Sequence, residues 1–383
     1  MNPSRKEVSY STGACSARIG AESNLMTSYP FRSFLTFTGV SIAAASTALA
    51  ASALTPPAPI DSFSLPAPSS IAFGTSVNFA PDGTLYAYDG EDVFSFNGVD
   101  FSNQINTTAF TAAGSDAGPI AFNNNGTTAY VGTGAGGRDF SGNSAGLTFA
   151  LDLATGVYSP IAGTTPGQFD FEPVPAASSA SGSGPLLAVN QGFFDSNTFE
   201  SSSQVSFFDT GDGSLTEVVS NVPGSSSAVG FGEFGGETSL FVGIGFGADR
   251  GEVRRFGLSE LDTAFTNDTA IDFADGDLIT PAGTPASGTG FFVNDDGYLF
   301  IGQGNEGGVL VISPELEVFE FAGLVAGFNG VIYDATTDNF LVTGGPEALL
   351  FDAGDFVAAI PEPAALMILA AGGVLGMLRR RHA

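Results

Sequence analysis

Short apolar segments that recur with the same turn chemistry constrain this chain more than any other feature. Val77-Asn78-Phe79-Ala80-Pro81-Asp82-Gly83-Thr84-Leu85-Tyr86-Ala87-Tyr88 is matched by Ile120-Ala121-Phe122-Asn123-Asn124-Asn125-Gly126-Thr127-Thr128-Ala129-Tyr130-Val131-Gly132. Further copies run from Gly290 to Gly302 and from Gly330 to Gly344, with weaker echoes at Leu186 to Gly192 and Val229 to Gly243. Each copy reads as strand, turn, strand, because Asn, Asp and Gly at the tight positions tolerate the positive φ that a hairpin turn needs. A further apolar strand follows most copies (Val93 to Phe96, Leu147 to Leu151, Val205 to Phe208, Val309 to Ile312, Leu349 to Phe351). A short outer strand often comes next, at Gly156 to Ile161, Leu215 to Val219 and Leu316 to Phe321. A 3.6-residue period is nearly absent, and Leu258 to Phe265 is the best helical candidate.

Three or four strands per unit make one propeller blade. The span from Ser69 to Asp355 divides into about 48 residues per unit for six units or about 41 for seven, both within the usual blade length. The expected fold is therefore an all-β propeller of six or seven blades, with a right-handed β-helix and a two-sheet sandwich as the alternatives. The inner hairpins resemble those of the loose NHL and YVTN-like propellers, in which F-x-x-D-G-x-L-Y-V marks the same unit. That resemblance is short and bears on fold rather than function. The chain has 36 Phe and no Trp, so Phe residues such as Phe79, Phe122, Phe207, Phe241, Phe292 and Phe319 are expected to fill the space between blades.

Both ends read as targeting segments. Arg32 precedes an apolar run from Phe34 through Ala50, the layout of a secretory signal peptide and its helix, with small residues offering signal peptidase a cut after Ala50 or Ala53. Residues Met1 to Asn24 lie upstream of such a signal, and Met26 would give it a more ordinary start. Residues 1–53 are thus read as extension and signal, 54–68 as a Pro-rich lead-in, 69–357 as the propeller and 358–383 as a tail. The tail reads Ile360-Pro361-Glu362-Pro363, then apolar or small residues from Ala364 to Leu378, then Arg379, Arg380 and Arg381. As a transmembrane helix the run reaches about 22 Å, short of the roughly 30 Å hydrocarbon core. The three arginines hold its end in the cytoplasm. Pro-Glu-Pro stays extended ahead of it.

This order of parts resembles the PEP-CTERM sorting signal of Gram-negative bacteria; an ordinary C-terminal anchor is the alternative. The resemblance implies that an exosortase recognises Pro361, Glu362 and Pro363, removes the tail from a membrane-anchored precursor at the inner membrane, and releases the protein to the cell surface or exopolysaccharide matrix. Those three residues are acted upon and do no chemistry.

Composition then excludes most chemistry. Between residues 54 and 360 the only basic residues are Arg138, Arg250, Arg254 and Arg255, against 37 carboxylates, and there is no His, Cys, Lys or Trp. Such a surface repels nucleic acid and anionic headgroups. Triads that need an imidazole, zinc sites on Cys or His, lysine Schiff bases and Lys-dependent phosphate loops are all ruled out. Disulfides are impossible, so the core alone must hold the fold.

Carboxylates, hydroxyls, amides and four arginines remain. Calcium is the one candidate cofactor, since Asp and Asn oxygens form its cages; the densest clusters hold Asp209 and Asp212, then Asp272, Asp275 and Asp277, then Asn294, Asp295 and Asp296. None matches the EF-hand spacing, and each reads first as a plain hairpin turn, with calcium ligation second. Arg250, Arg254 and Arg255 form the only basic cluster in the domain, a candidate docking point for an anionic polysaccharide unless neighbouring carboxylates pair with them. The expected function is a non-catalytic surface or matrix protein that binds exopolysaccharide or an envelope protein. The alternatives are a carboxylate-dependent glycosidase or polysaccharide lyase, which requires a deep central pocket with two convergent carboxylates, and a calcium-stabilised structural module.

Overall fold

The computed structural model describes residues 53–361, apart from 67–75, 109–116, 134–147, 162–167, 181–185, 196–199, 225–227, 246–248, 285–289, 304–307, 325–328 and residue 345. The extension and signal segment up to residue 52, and Glu362, Pro363, Arg379, Arg380 and Arg381, lie outside the described residues.

Among the described residues the strands form six sheets, each built round four strands; in five of them these lie side by side in chain order from the innermost outward, and in the sixth the outermost comes from early in the chain. Blade 1 holds Val77–Phe79, Leu85–Tyr88, Val93–Ser95 and Asn103–Gln104. Blade 2 holds Ala117–Phe122, Thr128–Thr133, Thr148–Asp152 and Val157–Pro160. Blade 3 holds Gln168–Pro173, Leu186–Asp195, Glu200–Asp209 and Leu215–Pro223. Blade 4 holds Val229–Phe234, Glu237–Gly243, Val253–Gly257 and Asp277–Thr280. Blade 5 holds Phe291–Val293, Leu299–Gln303, Gly308–Ile312 and Val318–Phe321. Blade 6 holds Asn329–Asp334, Asn339–Gly344 and Glu347–Asp352. The fold is a six-bladed all-β propeller, the lower of the two expected blade counts.

The fourth strand of blade 6 comes from the other end of the chain. Asp61–Ser64 pairs antiparallel with Glu347–Asp352, in the register Asp61 with Leu350 and Ser64 with Glu347. The ring is thereby closed by ladder hydrogen bonds between early and late segments. Asp61–Ser64, within the Pro-rich stretch expected to lead into the domain, is therefore part of it, an edge strand flanked by Pro59 and Pro66. Ala53–Leu54 adds a short parallel pairing to the outer strand of blade 5.

The expected hairpins are the inner pair of strands in blades 1, 2, 5 and 6, and their turn Asp and Asn side chains work for the turn itself. Asp82 accepts the N–H of Thr84, Asn123 those of Thr127 and Thr128, and Asn294 that of Tyr298. Such bonds fix the turn locally and hold the register of the strands that follow. The helical candidate is also present: α1, Leu258–Asn267, buries Leu258, Leu261 and Ala264 against the wall of blades 3 and 4. A second helix, α2, Ala353–Ala359, was not foreseen and follows the third strand of blade 6.

Phe fills the gaps between blades. Between blades 5 and 6, Phe292 stacks on Phe300 and on Tyr333, with ring centroids 4.5 Å apart in each case, and Phe340 and Phe351 complete the layer. Phe207, Phe241, Phe256, Phe300 and Phe340 are fully buried, each removing about 2 to 3 kcal/mol of apolar surface from water relative to exposure.

Candidate site in the central channel

The innermost strand of each blade has a partner on one side only, so its channel side presents backbone N–H and C=O groups without ladder partners. The structure answers this edge differently from blade to blade. In blade 3 the sequence Gln168-Phe169-Asp170-Phe171-Glu172 alternates, placing Phe169 and Phe171 on one face, both buried, and Asp170 and Glu172 together on the other. Asp170 Oδ2 accepts the N–H of Val229 in blade 4 at 3.0 Å, and its Oδ1 accepts the N–H of Phe171 at 3.0 Å. Glu172 accepts the N–H of Phe231, two residues further along the same strand of blade 4. Two carboxylates on one strand thus satisfy alternate N–H groups of the next.

Burial governs their protonation. Loss of water raises Asp170 to about 7, against the pull of its two backbone N–H bonds. Glu172 rises well above the usual glutamate range, first from desolvation and then from the neighbouring Asp170 charge, with the Phe231 N–H opposing. Each residue keeps part of its surface exposed while its carboxyl group is enclosed. The enclosed carboxyl decides the protonation.

The two carboxylates line a cavity of about 920 Å³ at the end of the channel where the first hairpin of each blade turns. Glu233, Asp295, Asp296 and Asp334 join them, with Asn78, Asn124 and Asn294 supplying amides, and no basic side chain lines the cavity among the described residues. Asp334 is engaged by Thr336 and Thr337, and Tyr333 donates its hydroxyl to Asp338 at 2.7 Å. Chemically the cavity offers hydrogen-bond acceptors, two carboxyl groups that burial makes weaker acids than usual, and aromatic walls from Phe231, Phe292 and Tyr333. It repels anions.

The residues singled out from the sequence lie mainly elsewhere. Asp209 accepts the N–H of Gly211, and Asp212 that of Ser214, so both serve a turn between the outer strands of blade 3. Hydrogen bonding with Ser214 holds Asp212 below the usual carboxylate range. Asp272 caps a short 3-10 turn, Phe273–Asp275, through the N–H of Ala274 and also accepts from Asn221. Asp277 pairs with Arg255 at 2.6 Å. Of all these only Asn294, Asp295 and Asp296 reach the channel cavity. Among the described residues no group of three or more acidic side chains is placed to hold a metal ion.

The arginines are not brought together as a docking point. Arg254 and Arg255 are successive residues of one strand and point to opposite faces of blade 4. Arg254 pairs with Glu252 at 2.5 Å, donates to the carbonyls of Ala274 and Gly276, and lies over the ring of Phe273 at 5.4 Å. Arg255 donates to Asp277 and to the Phe234 carbonyl. Arg250 lies before this strand, and its carbonyl accepts the N–H of Gly283.

Asp170 and Glu172 escaped the sequence reading. Their strand is joined to the next by a connection of a dozen residues, so no tight-turn signature marks it. The alternation of Phe with acid over Gln168 to Glu172 was the available signal.

Among solved structures, a gluconolactonase from Xanthomonas campestris is 13% identical, with a TM-score of 0.46 over 78% of this chain and 97% of that one. The calcium-binding protein regucalcin from Agrobacterium tumefaciens is 12% identical, TM-score 0.47, over 72% and 88%. Virginiamycin B lyase from Staphylococcus aureus is 11% identical, TM-score 0.43, over 74% and 80%. Likeness at this level says nothing of activity or ligand. No curated protein matches the chain. The model of the PEP-CTERM protein-sorting motif matches residues 359–381, which implies export, anchoring by the tail before it is cut, and processing by an exosortase. The chain ends in a PEP-CTERM sorting motif carried by a six-bladed propeller.

Proposed function

We propose that this propeller is a non-catalytic binding protein of the cell surface or extracellular matrix of a Gram-negative bacterium, and that the mouth of its central channel receives the ligand. The observation that carries the reading is the 920 Å³ cavity, concave and rich in hydrogen-bond acceptors on rigid inner strands. Its carboxylates and lack of cations favour a neutral or cationic ligand over an anionic polymer. Residues 54–360 hold no imidazole, thiol or amine side chain, which removes the commonest nucleophiles and bases.

A second reading is favoured by one specific feature. Burial raises both Asp170, to about 7, and Glu172, and a carboxylate-dependent glycosidase or lyase needs an acid with a raised pKa. Against it, both groups stand on one strand and accept backbone N–H bonds, so neither is free to flank a scissile bond from the opposite side. The test is to incubate the exported protein with neutral, cationic and anionic glycans, reading binding and released reducing ends together. Saturable binding weakened by Glu172→Gln, with no product, supports the binding protein. Product release abolished by Asp170→Asn overturns it in favour of the enzyme.

A further inference from the structure

The two ends of the propeller leave it at one place. At the amino end, Leu54 is in register with Phe321, on the outer strand of blade 5. At the carboxyl end, α2 lays Phe356 against Phe321, Phe340 and Phe351, with ring centroids 4.7, 5.1 and 5.3 Å away, and Phe356 is fully buried. Leu54, Val357 and Ile360 all pack on this same core cluster between blades 5 and 6. Ile360 has the extended backbone that a following proline imposes, so the helix stops there and the sorting motif begins at once.

No spacer separates the folded rim from the anchor. Four residue steps lead from Ile360 to Ala364, where the apolar run starts, and an extended chain covers about 14 Å in that distance. Unwinding α2 cannot lengthen this stretch while Phe356 is buried. On the amino side four steps likewise separate Leu54 from Ala50, the end of the apolar run read as a signal segment.

We propose that the anchored precursor turns the rim between blades 5 and 6 to the lipid surface, holding the propeller edge-on with its channel mouth open to solvent. The approach is enforced by the tether. Rim carboxylates such as Asp352 and Asp355 give anionic headgroups nothing to attract, and Asp355 is exposed on the outer side of α2. The exosortase must then take the motif in the narrow gap between this rim and the bilayer.

The test uses the anchored precursor after signal removal, residues 54–383, which holds no cysteine of its own, in phosphatidylcholine nanodiscs containing a nitroxide-headgroup lipid. A fluorophore is placed at Asp355→Cys on α2, or at Ser159→Cys on the exposed outer strand of blade 2, across the ring. Given a tether of about 14 Å, quenching at position 355 should exceed that at 159 at least about threefold. A ten-residue Gly/Ser insertion between Ala359 and Ile360 should erase the difference. Equal or reversed quenching in the uninterrupted chain overturns the proposal, and so does a difference that survives the insertion, since contact would then not depend on tether length.

Discussion

The junction of blades 3 and 4 and the junction of blades 4 and 5 solve one geometric problem in opposite ways. At the first, Asp170 and Glu172 reach across to the N–H groups of Val229 and Phe231. At the second, the facing positions are Gly230 and Gly232, where a Cβ would come within 2.8 Å of the Phe291 carbonyl oxygen and 2.4 Å of Val293 Cγ2. One junction is spaced by side chains that carry protons, and the other is closed by backbone touching the neighbouring strand. The polar junction should respond to pH and tolerate changes of size, while the glycine junction should ignore pH and tolerate almost no added volume. The ring thus contains a titratable seam beside a steric one.

The largest effect is expected at the steric seam. Gly232→Ala places a methyl on Val293 Cβ, 2.6 Å away, which no rotation of that side chain can relieve. The blades must part, at a cost of about 3 kcal/mol. Urea unfolding should show this loss equally at pH 5 and pH 8. A loss under about 1 kcal/mol would mean that the inner strands separate easily, and the contrast between the seams would collapse.

The titratable seam predicts a slope with a definite sign. An aspartate titrates near 3.8 when unfolded, and Asp170 near 7 when folded, so the folded state holds the proton more tightly. Its contribution is complete below about pH 4 and is lost as pH rises through about 7. Glu172, also raised by burial, loses its contribution in the same direction as pH rises. Asp170→Asn removes the proton exchange, so the difference in stability between variant and parent should shift in the variant's favour by about 2 kcal/mol from pH 5.5 to pH 8. Only the difference is diagnostic, because exposed acids such as Asp152 and Asp272, held low by hydrogen bonds, push the parent's own profile the other way. Parallel profiles for the two proteins would show that Asp170 is ionised in the fold.

The contrast between these seams also explains what the sequence made legible. Blades 1, 2, 5 and 6 announce themselves because their inner strands are joined by tight turns, and a tight turn must write Asn, Asp or Gly at fixed offsets. Blade 3 replaces that turn with a longer connection, so its inner strand carries no punctuation and no turn signature singles out its two acids. The glycines at 230 and 232 were visible as residues, but their reason lies in Phe291 and Val293, some sixty positions away. Acidic clusters suggested metal cages because ligand and turn chemistry draw on the same side chains; the structure spends Asp209, Asp212 and Asp272 on local N–H groups. The closure of blade 6 by Asp61–Ser64 is likewise a long-range pairing that no local pattern encodes.

A third junction provides a neutral control. Asn78 in blade 1 donates its side-chain amide to the carbonyl of Ile120 in blade 2 at 3.1 Å, spanning the seam without a titrating group. It also accepts the N–H of Phe79. Asn78→Ala should cost about 1 kcal/mol, the net worth of a partly buried hydrogen bond, with the same loss at pH 5 and pH 8 in paired melting curves. A cost that changed with pH would place the titration in the ring as a whole, and the difference between seams would cease to be local to Asp170 and Glu172.

The smallest effect separates a proton seam from a cation seam. If Asp170 and Glu172 were ionised partners of a divalent ion, calcium would bind the fold and raise its melting temperature in proportion to ligand excess over Kd. Each instead accepts a backbone N–H and is raised by burial, and among the described residues no group of three or more acidic side chains is placed to hold a metal ion. Millimolar calcium against excess EDTA should therefore move the melting point by less than about 2 °C, in the parent and in Asp170→Asn alike. A large rise in the parent that Asp170→Asn abolished would make the seam a metal site, since an ion that displaced the protons would invert the pH slope as well: stability would then climb from pH 5 to pH 8 in the presence of calcium.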